Sequence, residues 1–183
     1  SGIYAIYVLT QYKAQSVLEH IQRGWMWRLA GRDSFVHVVP AQMQLGEGWY
    51  TGTADAVYQN LNLLHQFDPD VVVVFGADHI YKMNIRQMIE FHVDHGAKAS
   101  VSCLPVPRET ASDFGITEMD EGGRIKKFWE KPADPPAMPG RPDQALASMG
   151  NYIFDPRTLV EALRANAAEA EACSAWRPAM CST

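Results

Sequence analysis

Short, mostly apolar runs alternate with amphipathic segments along the first hundred residues of the chain. Four runs have the length and composition of buried strands; they cover residues 3–9, 35–39, 71–75 and 97–104. Three segments between them place apolar residues at helical spacing; they cover residues 11–24, 53–64 and 84–96. Strands that alternate with helices in this way predict an α/β fold, with a mostly parallel, Rossmann-like sheet that helices cover on both faces.

The pattern changes after residue 105, where shorter pieces replace the long alternation. The predicted elements are a β-hairpin with strands at 114–117 and 124–128 and its turn at 120–123, a loop at 132–142, a strand at 151–154 and a helix from Pro156. The loop assignment follows from five prolines within eleven residues. We interpret the hairpin and the proline-rich loop as a lid on the carboxyl edge of the sheet.

Asp78 is the first candidate for chemistry. It follows the run 71–75 just beyond the carboxyl end of a predicted strand, which is where open α/β sheets bind ligands. A carboxylate there can hold a magnesium ion against substrate phosphates, because magnesium combines one or two carboxylates with phosphate oxygens. A helix cap is an equally good interpretation of this residue.

Four residues in and after the hairpin are candidates for binding a phosphate or a sugar. Lys131 precedes a proline, and its ammonium is a compact charge suited to phosphate. Glu130 could accept hydrogen bonds from sugar hydroxyls, although the two side chains could also form a surface ion pair. Gly115 could let a ligand approach the backbone or be an ordinary strand glycine. Ser148 could donate a hydrogen bond to a hydroxyl or belong to a turn.

The glycine-rich loop 42–52 carries two large aromatic residues, Trp49 and Tyr50. They could stack on a base or a sugar, and they could also fold back onto the core. Thr53 is predicted to cap the next helix. Asp55 falls in the first turn of that helix, where the helix dipole favours a negative charge. We therefore assign Asp55 a structural role.

Charge and cysteine content narrow the classes of partner. The formal charge is −5 and no basic patch stands out, which argues against nucleic-acid or membrane-surface binding.

Three cysteines without CxxC spacing favour a reducing, cytoplasmic setting and give no zinc signature. We interpret His92 and His95 as a solvated helix face rather than a metal site. Neither an apolar run of about 18 residues nor a signal peptide is recognised, so no membrane segment is expected.

Six motifs occur in the same order as in one enzyme family. They are Pro40-Ala41-Gln42, Trp49-Tyr50-x-Gly52-Thr53-Ala54-Asp55-Ala56, Gly76-x-Asp78-His79-Ile80-Tyr81, Phe114-Gly115, Glu130-Lys131-Pro132 and Leu146-Ala147-Ser148-Met149-Gly150. Each motif is weak by itself, but the ordered set is specific. Up to about residue 165, the chain resembles the catalytic domain of bacterial ADP-glucose pyrophosphorylases, the glucose-1-phosphate adenylyltransferases.

The resemblance implies a nucleotidyltransferase with a GT-A-like sheet. Its reaction would make ADP-glucose and diphosphate from ATP and α-D-glucose 1-phosphate for glycogen synthesis, with Mg2+ as the cofactor. Asp78 would bind the metal and act in catalysis, and Lys131 would hold the phosphate of glucose 1-phosphate. The sugar site would be lined by Tyr50, Gly115, Glu130 and Ser148.

The resemblance also implies regulation and assembly. Trp49 and the loop around Gln42 would relay the binding of an activator, and the full-length protein would be a homotetramer. Gln66 stands where some bacterial members carry an arginine that contacts AMP. The identity of an effector is therefore not predicted.

Two parts of the family pattern have no counterpart in these 183 residues. They are the glycine-rich loop that holds the ATP phosphates and the C-terminal left-handed β-helix. We interpret residues 1–170 as part of a catalytic domain and residues 171–183 as an unmatched tail, truncated or frameshifted, and we expect little turnover from these residues by themselves. Two other functions stay open: a nucleotidyltransferase for another sugar nucleotide, and a non-catalytic sugar-phosphate-binding or regulatory protein.

Overall fold

The structure, a computed structural model, describes residues 3–11, 14–24, 34–41, 50–77, 80 and 82–180, with side chains as far as residue 169. Helices and strands alternate over most of this length, so the predicted α/β class is confirmed. The chain divides into two compact units. One contains residues 1–70 and 156–183, and the other contains residues 71–155.

The first unit begins with a parallel pair of strands. Its described elements are Ala5–Thr10 (β1), Ala14–Gly24 (α1), Phe35–Pro40 (β2), Thr53–Gln59 (α2), Leu61–Phe67 (α3) and Pro156–Met180 (α5). β1 and β2 pair from Ala5 opposite Phe35 to Thr10 opposite Pro40, which confirms the predicted strand–helix–strand start. Burial is lower than predicted, because Val38 is the one buried residue in these two strands and Ile6 is exposed.

The helix predicted at 53–64 is divided in two at Asn60. The Asn60 side chain donates hydrogen bonds to the Ala56 carbonyl (2.8 Å) and to the Tyr50 hydroxyl (2.9 Å). A side-chain amide that bonds a nearby carbonyl competes with the helical hydrogen-bond ladder, and the backbone leaves the helical conformation at this residue.

The start of α2 differs from the prediction at one residue and agrees at another. The predicted Thr53 cap is wrong, because Gly52 occupies the cap position and no side chain caps the helix. The Asp55 carboxylate accepts hydrogen bonds from the Thr51 N–H (2.9 Å) and the Gln59 amide (3.1 Å). The structural role predicted for Asp55 is therefore confirmed.

The second unit is built on one long strand, β7. Its described elements are Val72–Phe75 (β3), Ile85–Asp94 (α4), Ala99–Pro107 (β4), a 3-10 helix at Arg108–Asp113, Gly115–Met119 (β5), Ile125–Glu130 (β6) and Gln144–Phe154 (β7). β4 follows one side of β7, β3 and β5 share the other side, and β6 pairs with β5. All of these pairs are antiparallel, and the predicted hairpin is confirmed as β5 and β6.

The position of β7 is the main difference from the predicted sheet. At Phe154, Val72 pairs on one side and Ala99 on the other, so β3 and β4 run in the same direction but are separated by an antiparallel strand. The prediction placed Ser148 before this strand, whereas β7 already starts at Gln144. Every pair in the described sheet of this unit is thus antiparallel, while β1 and β2 of the first unit pair in parallel, so the described strands combine both kinds of pairing rather than being uniformly parallel. Periodicity locates strands but does not show their order across a sheet.

The buried face of α4 also differs from the predicted one. Val93, one of the apolar residues at helical spacing in the segment 84–96, is 58% exposed, whereas His92 is 3% exposed. The His92 Nδ1 lies 2.9 Å from Ser100 Oγ on β4, so the buried ring has a polar partner. Burial lowers the pKa of His92, which favours the neutral ring. The predicted solvated face is therefore wrong for His92, while His95 is exposed and stacks on Phe91.

Asn151 on β7 makes a testable contribution to stability. It is fully buried, and neither polar atom of its amide has a hydrogen-bond partner in the described part of the chain. A buried polar group left without a partner destabilises a fold by about 1–3 kcal/mol. We therefore expect Asn151→Val to raise the free energy of unfolding by about 1 kcal/mol in chemical denaturation.

Thr117→Val is the matched control for this prediction. Thr117 is also buried, but its hydroxyl accepts a hydrogen bond from the Cys103 thiol (3.4 Å). Loss of a partnered group should lower the free energy of unfolding. Destabilisation by both substitutions would contradict the unpartnered state of the Asn151 amide.

Candidate functional site

Three of the predicted site residues form one row across the sheet of the second unit. Gly115 on β5 pairs with Glu130 on β6. Ile116 pairs with Ala147 on β7 in antiparallel register, so Gly115 lies opposite Ser148. Directly opposed residues share a face of the sheet. The register thus aligns a carboxylate, a glycine backbone and a hydroxyl on adjacent strands.

The row lies on the face of the sheet opposite to the apolar core. Because side chains alternate along a strand, the neighbours of the row point to the other face. Of these neighbours, Ile116 and Ala147 belong to the core cluster, and Trp129 packs against it. Glu130 is exposed, and the two other members of the row are half-buried. The polar groups of the row are therefore accessible to a ligand.

Lys131 follows the row in an unusual backbone conformation. Its φ is 44°, in the left-handed region that non-glycine residues rarely adopt, and a residue before proline is normally extended. Its N–H donates a hydrogen bond to the Phe114 carbonyl (3.2 Å), which holds the end of the strand. Residues in such conformations, which cost about 1–3 kcal/mol, concentrate at ligand sites.

The Lys131 ammonium is available for an anion. The side chain is exposed, and among the described residues it forms no ion pair, including with Glu130 beside it. The surface ion pair considered from the sequence is therefore not formed. An unpaired ammonium next to an exposed carboxylate suits a ligand that carries both a phosphate and hydroxyl groups.

Gly115 lies under an aromatic ring. A Cβ atom at this position would be 2.5 Å from Cζ of Phe128 and 3.4 Å from Oε2 of Glu130. The first distance is far below a van der Waals contact, so only glycine fits here while Phe128 keeps its place. The backbone of Gly115 is thus approached closely by the Phe128 ring, and its predicted contact with a ligand stays a prediction.

Ser148 lies within β7, at a bulge, rather than in a turn before the strand. Val101 on β4 faces Tyr152, but Cys103 faces Ser148, so β7 contains extra residues between these pairs. Gly150 in this bulge has a φ of 68°, which glycine adopts readily. Its N–H donates to Ser148 Oγ (3.2 Å), and the Tyr152 hydroxyl lies 3.2 Å from the same oxygen. The bulge thereby adds a second hydroxyl to the row, one that the sequence did not indicate.

Arg108 tethers the proline-rich segment that follows Lys131. Its backbone N–H donates to the Asp143 carbonyl (2.9 Å). Its guanidinium donates to the Pro135 carbonyl (2.6 Å) and to the Asp134 carboxylate (2.8 Å). The predicted loop is thus confirmed, and one arginine of the preceding 3-10 helix contacts both of its ends. Sequence reasoning missed Arg108 because these contacts span more than twenty residues.

Replacing Arg108 with methionine tests the tether, because methionine keeps an apolar stem but donates no hydrogen bond. We expect Arg108→Met to lower the free energy of unfolding by about 1–2 kcal/mol and to speed proteolysis within residues 132–142. Arg141→Met is the control, since Arg141 is exposed and donates to the side chain of Gln144 (3.1 Å). Equal proteolysis of both variants would refute the tether.

Part of the predicted site falls outside the described residues, namely Asp78, Gln42 and Trp49. β3, the strand before Asp78 in the sequence, ends at Phe75 opposite Asn151, three positions from Ser148 along β7. The carboxyl end of β3 therefore points along β7 toward the row. No group of three or more metal-ligating side chains occurs among the described residues. A magnesium ion held by one carboxylate and substrate oxygens does not require such a group.

Tyr50, the remaining predicted residue, belongs to the first unit. It is half-buried, and its hydroxyl accepts a hydrogen bond from Asn60 (2.9 Å). This contact fixes the residue at the junction of α2 and α3. Its predicted role at the sugar stays a prediction.

Where the chain is described, no helix has the length and apolar character needed to cross a membrane.

Cys103 is a free thiol, and burial raises its pKa, so the less reactive protonated form is favoured.

The structure thus has an α/β fold, and the row with Lys131 beside it is its candidate ligand site. Comparison with known proteins identifies the family to which this domain belongs. Residues 1–181 match the nucleotidyl transferase family, and the chain belongs to that family.

Curated relatives carry the name glucose-1-phosphate adenylyltransferase, which confirms the resemblance seen in the sequence. The protein of Thermus caldophilus is 57% identical over 171 residues, covering 91% of this chain and 41% of the relative. The protein of Deinococcus deserti is 52% identical over 167 residues, covering 89% and 40%. That of Mycolicibacterium smegmatis is 52% identical over 163 residues, covering 88% and 40%. The chain thus spans about two fifths of the length of these relatives.

Proposed function

We propose that this protein supplies the sugar-phosphate side of an active site that makes ADP-glucose and diphosphate from ATP and α-D-glucose 1-phosphate. The observation that carries the proposal is the row of Glu130, Gly115 and Ser148 with the unpaired Lys131 at its end. Membership of the nucleotidyl transferase family and the names of the relatives support the choice of reaction. The pathway served would be glycogen synthesis.

The reaction needs little covalent work from the protein. A phosphate oxygen of glucose 1-phosphate attacks the α-phosphorus of ATP, and the bond from that phosphorus to the bridging oxygen breaks. Diphosphate leaves with the electron pair of the broken bond. Both reactants are anions, so catalysis depends on positioning and on neutralising charge.

The described side chains divide these tasks. The Lys131 ammonium binds the sugar phosphate and offsets its repulsion from ATP. The Glu130 carboxylate accepts hydrogen bonds from sugar hydroxyls. Ser148 Oγ accepts the Gly150 N–H and lies 3.2 Å from the Tyr152 hydroxyl, so it can donate its proton to a sugar hydroxyl when Tyr152 is the donor of that pair. Gly115 would line the sugar site beneath Phe128, whose ring occupies the space that a Cβ atom at this position would take.

Magnesium fits the proposal through Asp78, on the basis of its place in the sequence three residues after β3 ends. Its carboxylate would hold the ion, and the bound ion would neutralise charge on the ATP phosphates and the departing diphosphate. ATP, glucose 1-phosphate, ADP-glucose and diphosphate are the proposed ligands. By the same resemblance, we infer a cytoplasmic homotetramer whose activator response involves Gln42 and Trp49.

Pyrophosphorolysis tests the proposed substrate. The complete gene product is incubated with Mg2+, diphosphate and either ADP-glucose or UDP-glucose, and the nucleoside triphosphate formed is measured. We expect ATP from ADP-glucose and far less UTP from UDP-glucose. Equal use of UDP-glucose would indicate a nucleotidyltransferase of another specificity. Binding of glucose 1-phosphate without any turnover would instead indicate a non-catalytic sugar-phosphate-binding protein.

A further inference from the structure

We propose that Phe128 is an aromatic platform for the glucose ring of the substrate, placed above Gly115 and beside Glu130. The inference rests on the proposed function, because it adds a contact to the same sugar-phosphate site. It assigns to Phe128 a part in recognising the sugar rather than the phosphate.

The register of the hairpin places Phe128 on the ligand-facing side of the sheet. Phe128 pairs with Thr117, and Glu130 pairs with Gly115, two positions along the same two strands. Residues two apart on a strand share a face, so Phe128 and Glu130 point to the side opposite to the core cluster. The ring leans over Gly115, with Cζ and Cε1 at 2.5 and 3.2 Å from where a Cβ would stand.

The adjacent aromatic residue, Trp129, has a structural role in this hairpin and serves as a comparison for Phe128. Trp129 packs against the core cluster, and its indole N–H donates to Glu118 (2.9 Å). Phe128 is 44% exposed on the other face. An exposed phenylalanine is not unusual in itself, but this ring lies over a glycine, with a carboxylate oxygen close to the same position.

Glucose offers the groups that such a site can recognise. A pyranose ring has hydroxyls around its edge and patches of C–H bonds on its faces. The face of an aromatic ring is electron-rich and attracts C–H groups, while a carboxylate at the side accepts hydrogen bonds from hydroxyls. Ligand pockets commonly combine apolar or aromatic surface with a few placed polar groups. Phe128, Glu130 and Lys131 would therefore contact the ring face, the hydroxyls and the phosphate in turn.

Binding of two probes, glucose 1-phosphate and inorganic phosphate, separates sugar recognition from phosphate recognition. Phe128→Leu keeps an apolar side chain but removes the aromatic face. In the complete gene product, we expect Phe128→Leu to lower the affinity for glucose 1-phosphate about fivefold and to leave the affinity for inorganic phosphate unchanged. Phe128→Tyr should bind like the unaltered protein. Phe91→Leu is the matched control, because Phe91 on α4 is also an exposed phenylalanine (56%, against 44% for Phe128).

Proton NMR of the bound sugar gives a readout that a merely structural role would not change. Glucose protons that lie over a phenyl ring shift upfield, and this shift should disappear in Phe128→Leu. Unchanged sugar affinity and unchanged proton shifts in Phe128→Leu would overturn the platform and leave the proposed function intact. Equal weakening of both probes would also overturn it, since the substitution would then act on the whole site. No binding of glucose 1-phosphate by the unaltered protein would overturn the proposed function itself and the platform with it.

Discussion

Replacing Asp78 with asparagine is expected to lower kcat for ADP-glucose formation by about a thousandfold. Asparagine has nearly the same shape but lacks the negative charge that a magnesium ion requires of its protein ligand. Initial rates of the complete gene product, measured across a range of Mg2+ concentrations, test this expectation. The apparent affinity for Mg2+ should fall together with kcat.

Asp94→Asn is the control for loss of a carboxylate. Asp94 is the last residue of α4 and is exposed, so its substitution should leave kcat and the Mg2+ dependence unchanged. Full activity of Asp78→Asn would remove Asp78 from the site. Loss of activity without a change in Mg2+ dependence would contradict its role as a metal ligand.

Replacing Lys131 with glutamine is expected to raise KM for glucose 1-phosphate by about a hundredfold, because one charged hydrogen bond to the phosphate is lost. Glutamine keeps a long polar side chain, so the change tests the charge rather than the volume. KM for ATP should change little. Steady-state kinetics with each substrate varied in turn measures both constants.

Lys98→Gln is the matched control for loss of a lysine charge. The Lys98 side chain is 75% exposed and lies 4.0 Å from the Asp155 carboxylate. Exposed pairs of this kind contribute little to stability, so both KM values should be unchanged. An unchanged KM for glucose 1-phosphate in Lys131→Gln would refute the phosphate role.

The sequence was sufficient for elements that local forces determine. The hairpin of β5 and β6 could be predicted because its turn is made by a local contact, the Asp120 carboxylate accepting the Arg124 N–H (2.8 Å). Helix α4 could be predicted because Asn84 caps it at one end (3.3 Å to the Gln87 N–H) and Gly96 adopts a left-handed φ of 55° beyond the other. Such interactions act between near neighbours and leave a visible pattern.

Features that depend on contacts between distant residues were not predictable in the same way. The place of β7 between β3 and β4 follows from pairing at Phe154 with residues more than fifty positions away. His92 faces inward because Ser100 on β4 is a hydrogen-bonding partner for its buried ring. A histidine and a serine in the sequence do not predict a buried face. Hydrophobic periodicity does not detect two polar side chains that are buried together and form a hydrogen bond with each other.

The candidate site shows the same division. Family resemblance indicated Gly115, Glu130, Lys131 and Ser148. The alignment of three of them in one row, with Lys131 at its end, appears only from the strand register. In the sequence, Phe128 is an apolar residue of a predicted strand, with nothing to single it out. Its position over Gly115 depends on which face of β6 points away from the core.

The structure of the complete gene product with glucose 1-phosphate bound tests the proposed sugar-phosphate site most directly. We predict that the sugar lies on the face of the sheet opposite to the core cluster, with its phosphate at hydrogen-bonding distance from Lys131 Nζ and its hydroxyls at Glu130 and Ser148. A phosphate bound away from Lys131, or a sugar on another surface of the protein, would contradict the proposed sugar-phosphate site.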